Sequence, residues 1–427
     1  MKLFIFNFII ILFFSLNTFS QTTTDEINEA ISNGNILKAT ELAEKNSISN
    51  PKDLNSWILL AKIYQKSYKY NEAIIALKKA ISIDSKNISI QLELANIYGK
   101  IDNETAAIFE YDNILKQDSN NFTALINLSQ IQLELKQYSN AYSNFEKLHK
   151  LDSLNSEFVR YMAICKLKED SLLEAVHLFE KSYKINSTNL KTIYWLSDIY
   201  TNQKKYDTAN VIINLAIENY PTNGKLYEKR ANVNFKKNHH YRTIPDFKKA
   251  IELGYDNYQI RKNLAKSLYV TKQYQEANDL LESLIIKDTI DYQLCMYLGD
   301  IKTELKDYEK SLLFYNKALE ILHPDPILLS AIYNGISENY SKQKLFYKQI
   351  EYIHKRQKVI PKSFNSNEYL LKVANIYEND IKDIKNALKY YERYWSYIKD
   401  VSWHEDVYKE QIISKINRLK EELHFQK

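Results

Sequence analysis

His239-His240, Cys165 and Cys295 are the side chains here whose types suggest metal binding or nucleophilic chemistry. The histidine pair stands among Lys236, Lys237, Tyr241 and Arg242, with no carboxylate or cysteine beside it at ligand spacing. Cationic neighbours oppose a dication, so the pair reads as a turn between two helices. The chain has only 2 Cys. Without a CxxC, HExxH or Cys/His cluster they read as packed thiols, and a structural zinc or haem site is not expected. There is no glycine-rich phosphate loop, no GxSxG and no cofactor fingerprint. Ser, His and Asp occur, but in no arrangement that singles out a triad. These residues point away from catalysis and imply no metal and no cofactor.

The elements that must carry these side chains are helices. Only 6 Gly and 6 Pro occur in 427 residues, too few for many hairpins or long loops, which favours long helices joined by short turns. The 34 Tyr suit helix seams and binding surfaces, being apolar in body and polar at the tip. The 58 basic and 53 acidic residues leave a net charge of +5. Both signs are interspersed, as on a solvated surface. No Lys/Arg block or arm tracks phosphates, so a nucleic-acid partner is not expected.

The chain repeats itself. Tyr70, Tyr138, Tyr206, Tyr274 and Tyr308 are separated by multiples of 34 residues. With units starting at 54, 88, 122, 156, 190, 224, 258 and 292, the eighth position reads Ala61, Ala95, Ser129, Ala163, Ser197, Ala231, Ala265 and Gly299. The twentieth reads Ala73, Ala107, Ala141, Ala175, Ala209, Thr243, Ala277 and Ser311. Every one is small. The seventh is Leu or Met in all of these units except that starting at 224, which has Arg230. Cys165 and Cys295 fall nearly four units apart; with stacked helices roughly 8–10 Å from each other, they are too far apart for a disulfide.

The unit Trp57-x2-Leu60-Ala61-x2-Tyr64, followed by Ala73-x3-Leu77-x2-Ala80, resembles the tetratricopeptide repeat (TPR) nearly position by position. Ile193-x2-Leu196-Ser197-x2-Tyr200 with Ala209, Ala216 and Pro221 is a second good match. The register extends back to 20 through Ala39 and Pro51. It slips at His323-Pro324-Asp325-Pro326, then resumes through Ile336-Ser337-x2-Tyr340 and Pro361, and Val373-Ala374-x2-Tyr377 and Ala387. The resemblance covers about 20–397. It implies an all-α, right-handed α-solenoid of about ten to eleven helix-turn-helix units, with repeats over 21–322 and 327–397. Small residues let paired helices approach, and neighbouring pairs must stack to bury their apolar faces. Asp84-Ser85, Asp118-Ser119 and Asp152-Ser153 fall at one offset between units, where their side chains suit helix termini.

In that family the concave groove is lined mainly by positions two, five, nine and twelve of the first helix. Carried over in the middle of the chain, those positions give a candidate binding surface of Arg160, Lys191, Tyr194, Asp198, Glu228, Asn232, Phe235, Lys262, Lys266 and Tyr269. Asp300 and Thr303 follow in the next unit. This mixed polar surface with aromatic anchors fits a protein or peptide partner; a merely solvated inner face is the bland alternative. The carboxylate-holding pattern of some TPR domains, Lys at five and Asn at nine, is matched by no unit. The resemblance implies an adaptor or scaffold. The alternatives are a structural subunit of an envelope secretion or motility assembly, or a glycan- or peptidoglycan-binding protein using Tyr194, Phe235 or Tyr269.

The chain ends carry their own signals. Met1-Lys2, the apolar run Leu3–Phe14 and the small residues Thr18 and Ser20 form the three-part plan of a secretory leader, 1–20, cut before Gln21. No Cys follows the run, so a lipoprotein is not expected. The run is short of the ~20 residues of a membrane span, leaving an uncleaved anchor as the alternative and the only expected tie to a membrane. The mature chain is then periplasmic or secreted. At the other end Tyr408, Ile412, Ile416, Leu419 and Leu423 lie on one helical face. The segment 403–425 therefore reads as a C-terminal capping helix, or as a docking helix for a partner.

Overall fold

The computed structural model describes residues 24–285, 291–321, 325–360, 367–399 and 406–425. The leader at 1–20 with its cut before Gln21, together with His323, Pro324 and Pro361, lies outside the described residues. Contacts divide the chain into two compact units, one through Ile199 and one from Tyr200. Each is described by itself.

In the first unit the helices pair as α1 (24–32) with α2 (Ile36–Ser49) and α3 (Leu54–Lys66) with α4 (Tyr70–Ile83). Then come α5 (Ile88–Lys100) with α6 (Glu104–Gln117), α7 (Phe122–Glu134) with α8 (Tyr138–Leu151), and α9 (Ser156–Lys168) with α10 (Leu172–Ile185). α11 (Leu190–Asn202) carries the division between units. The second unit continues with α12 (Tyr206–Asn219), α13 (Gly224–Lys236) with α14 (His240–Glu252), and α15 (Tyr258–Val270) with α16 (Tyr274–Ile285). There follow α17 (Tyr292–Glu304) with α18 (Tyr308–Ile321) and α19 (Pro326–Lys342) with α20 (Phe346–Val359). Last are α21 (Glu368–Asn375), running into a π-helical stretch Ile376–Ile381, with α22 (Ile384–Ile398), and then α23 (Asp406–Phe425). Among the described residues there is no strand.

Two polar columns start and stop these helices. Asp53, Asn87, Asn121, Asn155, Asn223, Asn257, Asp291 and Asp325 each cap a first helix by accepting from a backbone N–H two or three residues on. Asn189 does the same, accepting from Lys191 N at 3.1 Å. This column steps by 34 throughout. Within each pair the chain turns through one left-handed residue: Gly34, Tyr68, Asp102, Lys136, Asp170, Lys204, Asn238, Lys272 and Lys306, again 34 apart. Asp84 and Asp118, expected at helix termini, close α4 and α6 and hold the following turn, each accepting from the side-chain amide of the next capping Asn.

The interruption anticipated at 323–326 falls later. Asp325 keeps the 34-residue step and caps α19. The next left-handed residue is Lys344, which is 38 after Lys306. The four extra residues are therefore taken up inside α19, 17 residues long where most first helices have 13. A full added turn keeps the same face inward, so the pairing survives.

Both small columns are buried. Ala61, Ala95, Ala163, Ala231 and Ala265 have no exposed surface, and neither do Ala73, Ala107, Ala141, Ala175, Ala209 and Ala277. Where the column is polar, the hydroxyl is satisfied internally, as when Thr243 Oγ1 donates to the His239 carbonyl at 3.1 Å. Cys165 and Cys295 are free and buried, each within its own unit. At the C-terminus Ile412, Ile416 and Leu419 of α23 bury against Leu370, Ala374, Tyr391, Tyr394 and Ile398. Glu378 ties the same contact through Arg418, and Lys415 stands 3.6 Å away. A helix with this one apolar stripe covers the exposed side of the last pair.

Candidate functional site

In the second unit, first helices touch their counterparts in neighbouring pairs: α13 meets α15, α15 meets α17, and α17 meets α19. Residues at positions five, nine and twelve of these helices therefore share one side. Six of the expected surface residues lie there. Asn232 donates its amide to Glu228, and Lys266 lies over the Phe235 ring at 5.2 Å. Lys262 is not available as a free cation, because its ammonium pairs with Asp291, the residue capping α17. Burial pushes the Asp291 carboxyl up, but Lys262 and the cap hydrogen bond outweigh it and hold the group below its ordinary range. Tyr269 sits half-buried with its ring 6.1 Å from both Tyr274 and Tyr297.

Tyr269 also stands beside Asp300, which accepts from the hydroxyl of Tyr315. Burial, with Glu338 and Glu304 nearby, raises the Asp300 carboxyl to about 6. No cation pairs with Asp300 among the described residues. The ring of Tyr315 fits because Gly299 and Gly335 flank it; a Cβ on Gly299 would meet the ring at 2.7 Å. The same pairing recurs wherever position twenty-four is Tyr: Tyr111 donates to Asn96 and Tyr391 to Asn375, both at 2.6 Å.

Four of the expected residues belong to the first unit. Lys191 and Asp198 are exposed on α11, and Tyr194 is half-buried. Arg160 is a correction: only 4% exposed, it forks onto Glu157 at 2.6 and 3.2 Å and stacks 4.1 Å over Tyr161. A guanidinium spent on its own helix holds structure and cannot greet a partner.

A cleft on the first helices of the first unit lies earlier, over α3, α5 and α7. It measures about 400 Å³ and is lined by Gln65, Glu93, Asn96, Lys100, Asn127 and Gln130, among others. Asn96 Oδ1 accepts from Asn127 at 3.0 Å, and Gln65 donates to Glu93 at 2.7 Å. The same positional rule applied to earlier units would have marked Asn96 and Gln130, both at position nine.

His240 packs edge-on against Phe235 and places Nδ1 3.2 Å from Ser267 Oγ. Burial pushes its pKa down, with Lys266 adding to the effect. No group of three or more potential ligands suits a metal among the described residues. No helix there is long and apolar enough to cross a membrane.

Residues 20–157 match the family described as the Cytochrome c-type biogenesis protein H TPR domain, and 292–321 match one described as Tetratricopeptide repeat. No curated protein matches the chain. Among solved structures it is similar to MamA, at 19% identity, covering 40% of this chain and 94% of that one with a TM-score of 0.36. It is similar to a tetratricopeptide repeat protein from Parabacteroides merdae at 17% identity, covering 67% and 98% with a TM-score of 0.39. Yeast Tom70 is a third, at 14% identity, 96% and 97% coverage and a TM-score of 0.34. With helix pairs recurring every 34 residues around two buried small columns, and with both family matches naming the repeat, the chain is a tetratricopeptide-repeat protein.

Proposed function

We propose that the chain is a non-enzymatic scaffold or adaptor of the bacterial envelope that holds an extended peptide or protein segment along its first-helix faces. The observation carrying this reading is the cleft over α3, α5 and α7, walled by side-chain amides and two carboxylates around Lys100. An amide offers one donor and one acceptor direction, the complement of a peptide group. Carboxylates and a lysine along its walls would set register by charge. The second unit adds Phe235, Lys266 and Tyr269 on the equivalent positions. Repeat families of this kind are generally scaffolds, which agrees with the absence of a catalytic motif in the sequence. The leader-like residues 1–20 support an address outside the cytoplasm.

Site-specific photo-crosslinking in envelope extract tests the reading. A crosslinker replacing Gln130, inside the cleft, should trap a discrete partner, whereas one at exposed Lys116 on a second helix should not. Equal trapping at both positions, or none at either, overturns the assignment. Fractionation of the tagged chain checks the address separately.

A further inference from the structure

A second cleft, of about 530 Å³, opens in the second unit between α12 and α14, with α13 as its floor. Its floor is where the repeat breaks its own rule. Position seven is Leu or Met in the other units starting from 54 to 292, but here it is Arg230. Arg230 forks onto Asp246 at 2.8 and 2.6 Å and donates a third bond to Asn214 Oδ1 at 2.8 Å. A half-buried ion pair is no better for stability than the apolar contact it displaces, and is often worse. Packing therefore does not account for it.

The rest of the wall is also polar. Asn234 is buried beside Arg230, and Asn210 keeps its amide oxygen buried without a hydrogen-bond partner. Pro245 sits inside α14 and, lacking an N–H, leaves the Tyr241 carbonyl without its helical donor. Four of the charges cancel in pairs, Arg230 with Asp246 and Asp207 with Lys237 at 2.7 Å. Arg242 at the rim has no carboxylate partner among the described residues. Val211 and Pro245 are the only apolar residues among the nine that line the cleft.

We infer that this cleft binds an acidic oligosaccharide, a sugar chain bearing a carboxylate. Hydroxyls both donate and accept, which matches a wall of amides and carboxylate oxygens. A guanidinium without a partner takes a carboxylate in a bidentate pair. A single unpaired guanidinium suits one carboxylate better than the clustered charge of a polyphosphate, and a lining with no aromatic, Leu, Ile or Met side chain offers no desolvated pocket for a peptide anchor. The cleft falls within the volume range of small-molecule sites. It opens between two second helices and shares no residue with the cleft over α3, α5 and α7.

The test is calorimetric titration of the purified full chain with tetragalacturonate, with maltotetraose as the uncharged control. Tetragalacturonate should bind saturably and maltotetraose at least about tenfold more weakly. Arg242→Ala should weaken tetragalacturonate by about tenfold or more. The double change Arg230→Leu with Asp246→Leu restores the apolar column and should abolish binding while helical circular dichroism is kept. Absence of tetragalacturonate binding, equal binding of maltotetraose, or wild-type affinity in either variant overturns the inference.

Discussion

Tyr315 donates its hydroxyl to Asp300 while its ring rests against Gly299 and Gly335. One side chain thus fixes a polar contact and dictates the absence of two others. Both glycines lie inside helices, where alanine would normally gain about 0.5–1 kcal/mol. Here the ring is 2% exposed and tethered, so it has nowhere to move. Gly299→Ala should destabilise by about 1–3 kcal/mol through overpacking, read as a lower denaturation midpoint. A midpoint that rises would show the ring to be displaceable.

Asp300 gives a pH dependence of definite sign. Its folded carboxyl titrates near 6 against an ordinary value of 3.8, so the folded state holds the proton more tightly. Its contribution is most favourable below the lower value and is lost as pH rises through the upper one. Asp300→Asn keeps an acceptor for Tyr315, as Asn96 does for Tyr111. At pH 7.5 the variant should be more stable by about 1–3 kcal/mol, with a flatter stability profile between pH 4 and 6 (the window set by those two values). Thermal melts across that range check both statements.

Glu378 behaves oppositely. Burial alone would raise its carboxyl, but Tyr391, Lys415 and Arg418 outweigh that and hold it low. Its contribution is present above its ordinary value of 4.5 and fades as pH falls through the folded value. Glu378→Gln should therefore loosen α23 at neutral pH. Hydrogen exchange over 406–425 should quicken while α13–α15 stays unchanged.

The Arg230–Asp246 pair allows a contrast within one site. Asp246→Ala leaves a guanidinium uncompensated and should cost about 3–5 kcal/mol, whereas changing both residues to Leu should be neutral or stabilising. Denaturant unfolding of the two variants separates these outcomes.

Much of this architecture was legible in the sequence because a repeat tests itself. Columns eight and twenty predict burial, and both columns are buried. Asp84, Asp118 and Asp152 stand at helix termini as their type suggests, but they close the preceding helices, and the N-caps are Asn87, Asn121 and Asn155, three residues on. Asp and Asn are both good caps, and only backbone geometry says which one stands at N-cap. The register reads as slipping at 323–326 because Pro marks breaks. Pro326 instead occupies the first turn of α19, where it is tolerated. The site residues were less legible. A column position says which face a side chain occupies, not whether a neighbour such as Glu157 or Asp291 has already claimed it.

The left-handed turn residues have a practical corollary. From Tyr68 to Lys382 they are not glycine, and most are lysine. Each L-residue held at such a φ carries a steric cost on the order of 1–2 kcal/mol. Because they recur 34 or 38 residues apart, substitutions by glycine share no partners and should sum almost independently. The melting temperature of this protein could then be raised in steps, one turn at a time, without altering any residue proposed to meet a partner.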